Sequence, residues 1–460
     1  MEQNTFETLR KKHPSFTYKG FTLLKKEDRI HIGYDFSLEN GCEFHPTTEI
    51  VTDNLELLNA FNSEAGKKMV FSLGMVELVS YWKCACPPTV YVDCGYLDEW
   101  DIRWWKKLYF GGLGEFFYRN GISADKNTFM NIVCRAEKKD YPLFAYNCGD
   151  YNIITVGGGK DSAVTTDLLK NYKDKNLFFT VNDQTARTET VLKGGYTESR
   201  IIKTYRKIDA NLLSLNAQGY LNGHTPFSAI VAFLSLYCAF LVGGKNIVLS
   251  NESSANESNI KGAAVNHQYS KSFAFEEDFT KYVEKNIMNE IRYFSLLRPF
   301  NELQIAKYFS KCSQFHYVFR SCNRGSKENK WCGNCAKCLF VFIMLSPFVE
   351  YEKLVEIFGN DMLNDADMIT DFDGLADFAG IKPFECVGTP EEIKLALYLL
   401  SQKFERNNNE KPILLKRFYE KADFDTIDKN LLKEYNPRHN VPDEFLEEIK
   451  EMYTYVASDN

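Results

Sequence analysis

Six residues, Gly157, Gly158, Gly159, Lys160, Asp161 and Ser162, follow an apolar, β-branched run at 152–156 and precede a helical pattern. Glycines at such a turn let backbone N–H groups approach an anion, and the start of the following helix adds the positive end of its dipole. In this setting Asp161 suits a magnesium-bound water or a helix cap, and Ser162 suits donation to a phosphate oxygen. All six residues are therefore candidate cofactor ligands. A Walker A loop is excluded, because its hydroxyl follows the lysine directly and a glycine lies five residues before its second glycine. Here Asp161 intervenes, and the earlier position is Ile154.

A second constellation is Cys322, Cys332, Cys335 and Cys338, spaced C-x9-C-x2-C-x2-C, with Gly333 allowing a tight knuckle. Four thiolates close a tetrahedral zinc shell and leave no position for water, so such a site is structural. Cys312 is an alternative fourth ligand to Cys322. The chain has 13 cysteines and begins with charged residues where a secretory signal would be apolar. Free thiols or metal ligands in a cytoplasmic protein are expected rather than disulfides.

These residues need a scaffold. With 460 residues, 44% of them apolar and 25% charged, the chain supports two or three packed domains. Acidic residues number 62 against 55 basic ones, well mixed, which argues against a nucleic-acid partner. The most apolar run, 229–242, is shorter than the roughly 20 residues of a bilayer span, so it predicts a buried helix and no membrane partner. Thr225 is its expected cap, Pro226 its first residue and Gly243-Gly244 its end.

Runs at 16–24, 29–37 and 42–50 predict a small antiparallel sheet, the last two joined by a tight turn at Glu39-Asn40-Gly41. Helical periodicity at 54–83, a strand at 89–93 and an aromatic helix at about 100–118 follow. From Tyr151, short strands at 152–156, 177–181, 200–204 and 246–249 alternate with helices, the pattern of a parallel sheet with covering helices. Thr389-Pro390-Glu391-Glu392 predicts a capping box within a helical tail. The expected architecture is α/β: an α+β domain at 1–150 on the substrate side, a nucleotide-binding domain at 151–345 that includes the cysteine cluster, and a helical region at 346–460.

The strand–GGGKDS–helix order resembles the S-G-G-x-D-S loop of the PP-loop ATP pyrophosphatases, with Gly157 replacing the leading serine. A similar cysteine cluster closes the 7-cyano-7-deazaguanine synthases of that superfamily. A narrower resemblance lies in LGMVELVSYWK (73–83), GGLGEFFYRNGI (111–122), GHTPFSAIVAFLSL (223–236), SNESSANESN (250–259), VNHQYSKSFAFE (265–276) and KPFECVG (382–388). These segments resemble the ATP-dependent UDP-N-acetylmuramoyl-L-alanyl-L-glutamate epimerases over about residues 5–400. The resemblance implies ATP with Mg2+, a UDP-linked muramoyl dipeptide as substrate, and inversion of its terminal L-glutamate in peptidoglycan precursor synthesis.

The implied chemistry is coherent. Alanine already acylates the glutamate nitrogen, so a pyridoxal Schiff base cannot form, and the carboxylate charge opposes loss of the α-proton. Adenylation removes that charge, so a modest base can act before a donor on the other face returns the proton. His224, His267, Lys271 and Cys386 are the candidate acid–base residues, with Cys84 and Cys86 as further thiols, although a lone cytosolic cysteine is more often a small buried hydrophobe. Glu252, Asn256 and Glu257, after a strand end, and Tyr269 are candidate substrate or magnesium contacts. Glu77 and Glu115 either reach the cleft or sit on exposed helix faces. The aromatic stripe from Trp100 to Tyr118 offers a surface for uracil but reads as core. Two rival readings are a PP-loop synthetase that adenylates another carboxylate or nucleobase for amide, nitrile or thiolation chemistry, and a zinc-braced nucleotide sensor.

Overall fold

The computed structural model describes residues 3–53, 60–139, 143–256, 269–325, 328–379, 383, 385 and 387–458. The alternation in the first runs does what period-two patterning requires. In β2 (Arg29–Leu38), Ile30, Ile32, Tyr34, Phe36 and Leu38 are all buried on one face. It pairs antiparallel with β1 (Ser15–Lys25), and Asn40, with a φ of 55°, turns the chain into the short β3 (Glu43–Phe44). β4 (Thr47–Val51) lies on the other edge of β2. β5 (Thr89–Val92) and β6 (Asn131–Cys134) extend the sheet parallel to β1.

In the second half, β7 (Tyr151–Thr155), β8 (Asn176–Val181), β9 (Ile201–Lys207), β10 (Gly244–Leu249) and β11 (Arg292–Ser295) are parallel. The halves are not separate sheets. β9 pairs antiparallel with β4, and the order is β11-β10-β7-β8-β9-β4-β2-β1-β5-β6, a mixed α/β sheet rich in parallel pairs. Successive residues of its central strands enter opposite cores: Ile153, Phe179 and Ile247 join one, Ile154, Phe178 and Val248 the other.

The first core is built around two helices. Glu64–Trp82 is buried on every side from Met69 onward, and Gly74 lets it press against the Tyr18 ring, where any side chain would collide. Phe227–Val242 is the predicted buried helix, closed by Gly243 at a φ of 77°. Its start corrects the expected hydroxyl cap: Pro226 takes the cap position, and the Thr225 carbonyl accepts the Phe227 N–H at 2.7 Å in a tight turn. The aromatic helix is two pieces, Glu99–Gly112 and Gly114–Arg119, broken at Leu113 where three nearby glycines weaken the helix. Trp105, Tyr109 and Phe116 within it are fully buried, so most of the stripe is core, while Tyr118 at its end is 52% exposed.

The second core gathers the C-terminal helices. Pro390–Arg406 carries the predicted capping box between Thr389 and Glu392. The Glu392 carboxylate also accepts the Glu302 N–H at 2.6 Å, joining two helix starts. Among the described residues, no helix is long and apolar enough to cross a membrane.

Candidate functional site

A cleft of about 380 Å³ opens at the carboxyl ends of β7, β8 and β10, where Thr155, Val181 and Leu249 form its floor. Open parallel sheets bind ligands at this edge. The sequence-predicted Gly157, Gly159, Asp161, Ser162, Glu252 and Lys271 all lie in its wall. Behind the loop begins the helix Lys160–Leu168, whose cap residue Gly159 supplies no side-chain acceptor for the first-turn N–H groups. Gly158 holds a φ of 85°, and its carbonyl accepts the Arg320 N–H at 2.6 Å. Lys160 stands apart from the wall. It is 3% exposed, and its ammonium pairs with Asp161 Oδ1 at 2.5 Å and with Glu302. Burial opposes its charge, but the two carboxylates outweigh that and push its pKa up.

Three cations in the wall escape the sequence reading: Arg187, Arg320 and Lys337. Arg187 lies just beyond β8, so the strand-end rule that singles out Glu252 after β10 also reaches it. Its Nη1 donates to the Asn182 carbonyl at 2.9 Å and its Nε reaches the Gly157 carbonyl at 3.5 Å. Arg320 lies just before the cysteines and Lys337 between the last two of them. With Lys271, they set four cations against the carboxylates of Asp161 and Glu252. That balance suits a polyphosphate together with one divalent cation held by the carboxylates.

Beneath the wall, Arg298 is completely buried, and its Nη1 and Nη2 donate to the carbonyls of Glu252 and Lys271 at 2.7 and 2.8 Å. It thereby fixes two cleft residues by their backbones. A charged residue inside the apolar run at 294–300 is the sequence signal that marks it.

The four cysteines come together as expected. The sulfurs of Cys322, Cys332, Cys335 and Cys338 all lie within 4.8 Å of one another, with Cys332 to Cys338 at 3.6 Å and Cys335 to Cys338 at 3.5 Å. A tetrahedron of zinc–sulfur bonds near 2.3 Å has edges of roughly 3.8 Å, so the set fits zinc. The fourth member is Cys322. Cys312 is buried elsewhere, its thiol 3.6 Å from the Tyr308 carbonyl.

His224 lies outside the cleft wall, on the loop that leads to the wall residue Phe227. Its Nδ1 is 3.6 Å from Glu115 Oε2, and Arg119 bonds the same carboxylate at 2.6 Å. Lys83 donates to the neighbouring Gly223 carbonyl. Glu77 and Glu115 are 2% and 7% exposed, which overturns the exposed-face reading. Arginine partners make that burial possible; Arg206 holds Glu77 by two bonds of 2.7 Å. Tyr269 also lies away from the wall, its hydroxyl donating to Asp278 at 2.8 Å. Burial pushes the Cys84 thiol up to about 12 and raises Cys86 as well, which removes both as thiolate bases near neutral pH. His267, Glu257 and Cys386 lie outside the described residues, as does the Asn256 side chain.

Comparison with known proteins agrees along most of the chain. Residues 7–296 match the family model of the MurL N-terminal domain, and residues 318–429 match that of the MurL C-terminal domain. A protein of Xanthomonas oryzae pv. oryzae named UDP-N-acetyl-alpha-D-muramoyl-L-alanyl-L-glutamate epimerase is 33% identical over 379 residues, 80% of this chain and 82% of the relative. Proteins of the same name from Salinispora tropica and a Micromonospora species are 33% and 34% identical, over 80% and 72% of this chain and 81% and 74% of their own lengths. By the extent of both the model matches and these relatives, the chain belongs to the MurL family.

Proposed function

We propose that the protein inverts the terminal glutamate of UDP-N-acetylmuramoyl-L-alanyl-L-glutamate from L to D, driven by conversion of ATP to AMP and pyrophosphate. The substrate follows from the names of the relatives. The nucleotide part rests on one observation: the GGGKDS loop opens a helix at the strand ends, in a cleft walled by four cations and two carboxylates. In this reading the backbone N–H groups of residues 157–159 and the helix start hold phosphate, Arg187, Arg320 and Lys337 neutralise its charge, and Asp161 and Glu252 carry Mg2+.

The α-carboxylate of the glutamate attacks the α-phosphorus of ATP, and pyrophosphate leaves. In the mixed anhydride the carboxylate charge is gone, so a side-chain base can take the Cα proton and a donor on the opposite face can return one. Lys271 in the wall and His224 beside Glu115 are the residues we assign to this transfer, with His267 and Cys386 as further members of the set. Water then adds to the acyl carbon and releases AMP and the D-epimer. Zinc at the four cysteines would be structural, and the nucleotide-linked substrate puts the reaction in the cytoplasm.

The test is incubation with ATP, Mg2+ and the L-glutamyl precursor in D₂O. The expected products are AMP, pyrophosphate and D-glutamate bearing deuterium at Cα, and no exchange occurs without ATP. Washout of the α-hydrogen in the absence of nucleotide would remove the adenylation step from the mechanism.

A further inference from the structure

Residues 319–323 form a strap held between two anchors, and its residues 320–323 line the cleft. At one end Phe319 is buried, its ring 4.8 Å from Phe309 and 5.1 Å from Trp331. At the other end Cys322 belongs to the cysteine tetrad, and its sulfur accepts the Gly325 N–H at 3.2 Å. Between the anchors the strap leans on the glycine loop. The Arg320 N–H bonds the Gly158 carbonyl at 2.6 Å, and Ser321 Cβ lies 3.4 Å from where a Cβ of Gly159 would stand. Arg320, Ser321 and Cys322 all line the cleft. Arg320 is half-buried, its Nη1 donating to the Phe319 carbonyl at 2.7 Å and its Nε to the Asn329 carbonyl at 3.2 Å. Both carbonyls belong to the stretch that leads into the tetrad, so the guanidinium is aimed by the same fold that gathers the sulfurs.

We propose that Arg320 and Ser321 contact the phosphates of the bound nucleotide, and that the four cysteines, when they hold zinc, are positioning residues for this pair, so that metal occupancy sets nucleotide affinity. The inference rests on the reading of the cleft as a nucleotide site. It differs from a purely structural zinc in its consequence: a metal that only braced the C-terminal region would leave nucleotide affinity unchanged while the fold persisted.

The probe is α,β-methylene-ATP with Mg2+, whose bridge resists cleavage, titrated calorimetrically into the full chain. Zinc-loaded and chelator-stripped protein are compared, with circular dichroism reporting the fold. Stripped protein should bind about tenfold more weakly or worse, and restored zinc should return the affinity. Arg320→Met should show the same weakening with its zinc content intact, which keeps the test decisive if stripping unfolds the chain. Equal affinity with and without zinc in folded protein, or unchanged affinity in metal-replete Arg320→Met, overturns the proposal. Absence of binding to zinc-loaded wild type overturns the nucleotide reading itself, and the coupling with it.

Discussion

At the scale of single residues, the three glycines of the loop have different physical tasks. Gly157 faces the cleft, and a Cβ placed on it would meet nothing within 4 Å. Gly158 sits at a φ of 85°, and a Cβ there would lie 3.2 Å from that of Ala186. Gly158→Ala should therefore lower stability by about 1–2 kcal/mol through backbone strain and crowding. Gly157→Ala should leave the melting temperature unchanged yet weaken nucleotide binding, because its methyl group enters space assigned to phosphate. Melting curves and calorimetric titrations of the two variants separate these effects; an unaltered affinity in Gly157→Ala would mean that phosphate does not approach that face. The same scale shows why a motif overstates its members. Lys160 reads as a phosphate ligand by its place in the loop, but its side chain is spent on Asp161 and Glu302. The cations that do face the cleft, Arg187, Lys271, Arg320 and Lys337, come from separate segments of the chain, and only folding brings them together.

At the scale of elements, patterning carried well where one face is buried and poorly where pairing decides. The alternating runs of β1 and β2 and the Thr389 capping box are visible in the residues themselves, because each follows from a local period or a local hydrogen bond. The four-residue strands β6 and β11 are not, because their only reason to be strands is the neighbour they complete. Buried charges on helices were also hidden, since a lysine or glutamate in a helix reads as solvent-facing until its partner is known. Lys83, at the end of Glu64–Trp82, is 6% exposed, and burial, reinforced by Arg206, lowers its pKa to about 8. An unfolded lysine titrates near 10.4, so between about pH 8 and 10.4 the unfolded chain binds more protons, and stability from this group rises with pH. Relative to Lys83→Met, the wild type should gain up to ~3 kcal/mol across that window and nothing below it. Denaturant titrations at pH 7, 8.5 and 10 measure the difference; a constant gap would mean that Lys83 is not desolvated in the folded protein.

At the scale of the whole molecule, the change in pattern at Tyr151 is real, yet it marks a change of strand direction rather than a break in the sheet. Alternating strands before it and βα units after it each predicted their own layer, and nothing local announces that β4 will take β9 as a neighbour, since an edge strand is completed by whatever packing presents to it. The joint is substantial. β4 and β9 pair from Thr47–Lys207 to Val51–Lys203, Glu77 and Arg206 make a buried bidentate pair across it, and Trp105 stacks on Phe233 at 5.3 Å while Trp104 meets Tyr282 at 4.4 Å. A fragment of residues 1–150 would keep Glu77 buried without its arginine, leave the β4 edge open and expose the tryptophan face that the helices Phe227–Val242 and Phe273–Asn286 cover. An uncompensated buried charge alone costs about 3–5 kcal/mol, a large share of the 5–15 kcal/mol that holds a domain together. The fragment should therefore show helical and strand signal without fixed aromatic packing: weak near-ultraviolet dichroism, poor amide dispersion and dye binding to exposed apolar surface. In the full chain, tryptophan fluorescence and far-ultraviolet dichroism should report coincident unfolding of both halves of the sheet. A fragment with sharp, dispersed resonances matching those of the intact protein would show that the first half folds without the β4–β9 joint, and the burial of Glu77 would then owe nothing to Arg206 and the parallel half.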